Sequence, residues 1–229
     1  MTARGGEHLI SRRVLLRSLP LATGGLLAAG CSMGKLVGGM AESYKRSSTR
    51  TVEPEYTGLD GRSFAVVIAA HRAVQTDFPR IVPDLTTSIT QRLKENTGAT
   101  AFIPAGRVLK FQYDNPRWIA MHPYELARAL ENVERLVYVD LQEFTLTDPG
   151  NAYLWNGVAS GLVGVIESDS AIPEEYAFTK DVSVGFPDQS GHGPHDIDGS
   201  IVYAALAKRF LDRASWPFYE HEEPYYPDY

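Results

Sequence analysis

The stretch Gly191-His192-Gly193-Pro194-His195-Asp196-Ile197-Asp198 is the one loop of this chain whose residue types could do chemistry together. Two imidazoles and two carboxylates this close in sequence are ligand types that divalent metals take. A cation held by His192, His195, Asp196 and Asp198 would make the chain a metal-dependent periplasmic hydrolase. The spacing argues against that. His192 and His195 flank a proline, and nothing in the loop forces their rings to converge. Asp198 stands before an apolar-periodic stretch, where an aspartate serves as a helix N-cap. The loop is therefore read as solvated, with no metal and no cofactor assigned.

His71 and His122 are the other acid–base candidates. His71 follows a seven-residue apolar run, Phe64 to Ala70, and ligands bind at strand C-terminal ends in open α/β sheets. That leaves a small-ligand-binding protein as a further possibility. His122 precedes Pro123, which suits the first turn of a helix. No motif places a nucleophile beside either histidine, and G-x-S-x-G, P-loop and G-x-G-x-x-G patterns are absent from the sequence. No catalytic residue is assigned, and the chain is read as a non-enzyme.

The remaining reactive side chain is the only cysteine, Cys31. A basic segment with Arg12, Arg13 and Arg17 leads into an apolar run, Leu19 to Ala29, and small residues precede the cysteine. This is the layout of a secretory signal peptide. Ser11-Arg12-Arg13-Val14-Leu15-Leu16 resembles a twin-arginine export signal, an address read by a receptor. Leu27-Ala28-Ala29-Gly30-Cys31 resembles the lipobox of bacterial lipoproteins, with Ala28 where leucine is usual. That resemblance implies a diacylglycerol on the Cys31 thiol and cleavage before it. Two or three acyl chains anchor a protein stably, where one does so only marginally. Ser32 follows the cysteine rather than aspartate, which under the usual sorting rule implies the outer membrane. The apolar run is about half of the roughly 20 residues a spanning helix needs, so a transmembrane helix is not expected.

Composition narrows the partners. The chain has 229 residues, 44% hydrophobic, and a net charge of −6. Residues 1–30 hold four Arg and one Glu, net +3, so the remainder carries −6 − 3 = −9. An acidic mature chain argues against nucleic acid. The expected contacts are the membrane through the lipid, and an envelope protein or a second copy of the chain.

These features need elements to position them. Residues 1–30 read as signal peptide and 31–62 as a lipidated tether of mostly irregular structure, broken by Gly38-Gly39, Pro54 and Gly58. Residues 63–215 read as an α/β domain, and 216–229 as an acidic aromatic tail. Phe64 to Ala70 fits a buried, parallel strand. Asp77 to Asn96 reads as a helix with Leu85, Ile89 and Leu93 inward. Thr100 to Ile103 is a short strand, and Val108 to Tyr113 is open between helix and strand. A helix from His122 to Asn132 and a strand from Arg135 to Leu141 follow. Asp148-Pro149-Gly150-Asn151 is a turn. Tyr153 to Ile166 reads as a strand whose Gly157, Gly161 and Gly164 mark bends or close backbone approach. Val182 to Phe186 is its hairpin partner, and a helix runs from Gly199 to Ala214. The expected order is β-α-β-α-β-β-β-α, a mixed α/β (α+β) sheet flanked by helices in a three-layer-like arrangement. Tyr219, Tyr225, Tyr226 and Tyr229 in the tail are the candidate partner-binding residues, since tyrosines bury large area at low entropic cost.

This order, with Leu126-Ala127-Arg128-Ala129-Leu130 on a helix before the strand Leu136-Val137-Tyr138-Val139-Asp140, resembles the CsgG-like and LpoB-like outer-membrane lipoproteins, which share a fold with the TolB amino-terminal domain. The resemblance covers about residues 60–215. It implies a non-catalytic envelope component that binds partners in assembly or export. Asp140 departs from the pattern, standing where glycine is common.

Overall fold

The structure, a computed structural model, describes residues 49–224. Cys31 and the leader, together with Tyr225, Tyr226 and Tyr229, lie outside the described residues.

Two sequence patterns build the sheet. The strand β2 (Ser63–Ala70) is apolar and buried on both faces from Phe64 onward. It lies between β3 (Ala101–Phe102) and β4 (Arg135–Thr145), parallel to both. The other pattern is alternation. It sets β5 (Gly157–Glu167) antiparallel to β4, and β6 (Tyr176–Phe186) antiparallel to β5. The five-stranded order is β3-β2-β4-β5-β6, so the expected mixed sheet flanked by helices is present.

One face of the sheet is covered along its length. Phe64, Val66 and Ile68 of β2, Val137, Val139 and Leu141 of β4, Val163 and Val165 of β5, and Val182 and Val184 of β6 all point there. Helix α2 (Ile81–Asn96) packs on β2 with Leu85, Ile89 and Leu93. The last helix, α5 (Gly199–Ser215), packs on β5 and β6 with Leu206 and Phe210. The opposite face is covered only in part. Ala65, Val67 and Leu136 pack under α3 (Ala105–Asp114) and α4 (Pro123–Ala129), through Val108, Leu126 and Ala127.

Several elements differ from the sequence reading. Residues Arg72–Asp77 form a separate short helix, α1, because Pro79 interrupts the stretch before α2. Residues 105–114 are helical: Val108 faces the core, Phe111 packs beside it, and Lys110 pairs with Asp114 one turn on at 2.5 Å. Helix α4 stops at Ala129, and Glu131 and Asn132 take positive φ. Strand β5 begins at Gly157 rather than Tyr153, because Trp155 leaves the ladder to bond the loop carbonyl of His192. Strand β6 begins six residues before Val182, where Tyr176-Ala177-Phe178 are followed by polar Thr179, Lys180 and Asp181.

Both ends of the domain extend further than expected. Thr49–Val52, read as part of an irregular tether, is a strand, β1. It pairs antiparallel with β7 (His221–Pro224), read as tail. Tyr56 and Leu59 are buried in the main core. Among the described residues no helix is long and apolar enough to cross a membrane.

Candidate functional site

The predicted chemistry loop is occupied with holding itself together. Asp196 Oδ2 accepts from the Gly193 amide at 2.9 Å. Asp198 caps α5, its Oδ1 accepting from the Ser200 amide at 2.8 Å, and hydrogen bonds from the Ser200 side chain and backbone hold its carboxyl below the usual range. His192 contributes its carbonyl to the Trp155 amide. Among the described residues no three His, Cys, Asp or Glu side chains gather closely enough to hold a metal ion. His122 caps α4: its Nδ1 accepts from the Tyr124 amide at 3.3 Å, and Glu125 reaches back to the His122 amide at 3.1 Å.

Tyr219 does not face outward. It is 9% exposed, and its hydroxyl lies 3.1 Å from Ser215 Oγ at the end of α5. The tail folds back because β7 pairs with β1 and Trp216 stacks on His221 at 4.6 Å between ring centroids.

His71 does reach a site. It stands where β2 ends, its amide bonded to the Leu141 carbonyl of β4 at 3.1 Å. Together with Arg72, Gln75, Ile119, Tyr138, Asp140 and Gln142 it lines a cleft of about 490 Å³ at the C-terminal ends of the two parallel strands. This is where open α/β sheets bind ligands.

Tyr138 and Asp140 enter the cleft from β4, whose alternate residues Val137, Val139 and Leu141 face the core. Period two therefore puts Tyr138 and Asp140 on the partly covered face. Tyr138 is paired across the ladder with Gly164, which has no side chain. Tyr176, at the start of β6, fills that space: a Cβ on Gly164 would stand 2.5 Å from the Tyr176 ring. Burial, then Tyr176, then Asp140 push the Tyr138 phenol up to about 12. Burial first, then Asp140, raise Tyr176 as well. Both phenols are neutral hydrogen-bond donors at physiological pH. Asp140 Oδ2 accepts from Gln142 Nε2 at 3.2 Å. The sequence signal for this group was a polar–apolar alternation within Leu136 to Leu141.

The arrangement offers two aromatic rings, a carboxylate and hydroxyl donors at an open face. It can hold a cationic or hydrogen-bonding group. It places no nucleophile beside His71.

No family model matches the chain, and no curated protein matches it. Solved structures similar to it include bacterial lipoproteins. Lipoprotein GNA1162 from Neisseria meningitidis is 12% identical, covering 64% of this chain and 94% of that one, with a TM-score of 0.42. The PelC dodecamer from Paraburkholderia phytofirmans is 13% identical, covering 75% and 97%, with a TM-score of 0.42. Protein XCC0632 from Xanthomonas campestris is 13% identical, covering 72% and 81%, with a TM-score of 0.39. At these identities and TM-scores the likeness carries no role and no partner to this chain.

Proposed function

We propose that this chain is a lipoprotein held at the cell envelope by acyl chains on Cys31, and that it works without catalysis, by binding another protein in envelope assembly or export. The observation that carries the anchor is the run from Arg12 through the apolar segment to the only cysteine. Ser32 after the cysteine favours the outer membrane. The resemblance of Leu126 to Leu130 and Leu136 to Asp140 to CsgG-like and LpoB-like lipoproteins supports the same reading. So does a domain in which His122 and Asp198 serve as helix caps and Asp196 as a turn acceptor.

The test is recovery of partners from detergent-solubilised envelope with tagged wild-type protein and with a Cys31→Ser variant. A protein captured reproducibly by the wild type, and lost when the anchor is removed, supports the reading. No reproducible capture counts against it.

A second reading, a small-ligand-binding lipoprotein, has the cleft at the ends of β2 and β4 in its favour. It requires His71→Ala and Asp140→Asn to weaken binding of that ligand; unchanged binding removes it.

A further inference from the structure

The sheet is covered on both faces along β2 and at the Ile166 end of β5, and on one face only along β6 and along β5 from Val158 to Leu162. Every β2 residue from Phe64 to Ala70 is buried. On β5 the residues Ala159, Gly161, Val163 and Val165 are buried, while Val158, Ser160 and Leu162 between them are half-buried. On β6 Val182 and Val184 are buried, while Asp181 and Ser183 are exposed. Helices α3 and α4 lie over β2, β4 and the Ile166 end of β5, and α5 lies on the other side. An apolar-bottomed sheet surface is thus left without a helix.

The register gives that surface its charge. Asp140 pairs with Leu162, Glu143 with Ser160, and Leu162 with Asp181. Three carboxylates therefore share one face with Val158, Leu162, Tyr138 and Tyr176. None of the strand residues on this face is basic; Arg72 stands at the far end of the adjoining cleft. Both tyrosines stay neutral, so the face is negative at neutral pH.

We infer that this uncovered face of β4, β5 and β6 is the docking surface for a lysine- or arginine-bearing segment of a partner protein, its cations on Asp140, Glu143 and Asp181 and against the Tyr138 and Tyr176 rings, its aliphatic stems on Val158 and Leu162. Cations pair favourably with carboxylates and with the faces of aromatic rings. A second copy of this chain does not fit the surface. Two-fold pairing of the face on itself would set like carboxylates together, which is unfavourable by the same electrostatics.

The inference rests on the reading that the protein acts by binding a partner. The two fail separately: loss of this surface leaves envelope capture to be explained by another face, whereas failed capture is read in the envelope experiment alone.

The test uses the full-length chain and a fluorescein-labelled oligolysine peptide, followed by fluorescence anisotropy at low salt. Removing three carboxylates together in Asp140→Asn/Glu143→Gln/Asp181→Asn is expected to weaken binding about tenfold. Glu53→Gln/Glu95→Gln/Glu220→Gln changes net charge equally at exposed sites off the face, and is expected to leave binding within about twofold. Asp181→Lys, a single change at an exposed residue that the fold does not use, is expected to weaken binding in the same direction as the face triple. The inference is overturned by any of four results: wild type that does not bind the peptide, a face triple that binds like wild type, equal loss in both triples, or a wild-type dimer by light scattering that the face triple converts to monomer.

Discussion

The ring of Tyr176 occupies the space that a side chain on Gly164 would take, two strands meeting through one residue's missing Cβ. An added Cβ at Gly164 would stand 2.5 Å from Tyr176 Cδ1 and Cε1. At Gly161, on the same strand, it would stand 2.3 Å from the Asp140 carbonyl oxygen. The first obstacle is a partly exposed ring that can swing away. The second is the backbone of the paired strand, beside the bulge between Leu141 and Glu143. Gly164→Ala is therefore expected to cost about 1 kcal/mol and Gly161→Ala about 3 kcal/mol, in the range of overpacking. Urea denaturation orders the two; the reverse order contradicts the geometry.

The half-covered sheet makes its own prediction. Val67 lies under α3 and α4, and Val158 lies on the uncovered surface of the same face. Val67→Ala is expected to cost about 2 kcal/mol, because the transfer and cavity terms both apply at a site with no exposure. Val158→Ala, with water already at hand, is expected to cost less than about 1 kcal/mol. Equal losses in urea unfolding would mean that something covers both.

Glu223 ties the two chain ends of the domain together. Its side chain is 5% exposed and pairs with Arg50 of β1 and, at 3.1 Å, with Arg213 of α5. Glu223→Gln keeps the shape and removes the charge. The expected loss is about 2 kcal/mol, less than for a wholly buried pair because Arg50 is half exposed. Amide hydrogen exchange should quicken at residues 50–52 and 221–223 while β5 stays protected. Unchanged exchange at those amides would show that the ion pairs do not hold the clasp.

Stability should also depend on pH through Glu134. The Ser63 amide, followed by the Arg62 guanidinium, holds its carboxyl below the usual range. A carboxyl whose folded value is lowered stabilises the fold above its unfolded value, about 4.3, and loses that contribution as pH falls through the folded value. Glu134→Gln should therefore lower the melting temperature at neutral pH, and the gap to wild type should close in strong acid. A gap that is constant across the titration contradicts this origin.

The architecture was legible where apolar patterning is continuous. The run Phe64 to Ala70, the face Leu85-Ile89-Leu93 and the caps at His122 and Asp198 specify their elements locally, and the structure has each of them. What was not legible depends on distant pairing. Thr49–Val52 carries no apolar alternation, and it is a strand only because His221–Pro224 lies beside it. That pairing also turns Tyr219 inward, where the tail's composition pointed outward. The start of β6 is hidden for a related reason: on an uncovered face its outward residues need not be apolar. The cleft was half legible. His71 was placed by its position after a buried strand, but Tyr176 joins Tyr138 and Asp140 only through the β5–β6 register.

We propose above all that the domain is carried on a lipid at Cys31. Labelled palmitate fed to cells expressing wild type and Cys31→Ser, followed by membrane fractionation, tests it most directly. A labelled wild-type protein in the membrane fraction, and an unlabelled Cys31→Ser protein outside it, are expected. A Cys31→Ser protein that still takes up label and still sediments with membranes would contradict it.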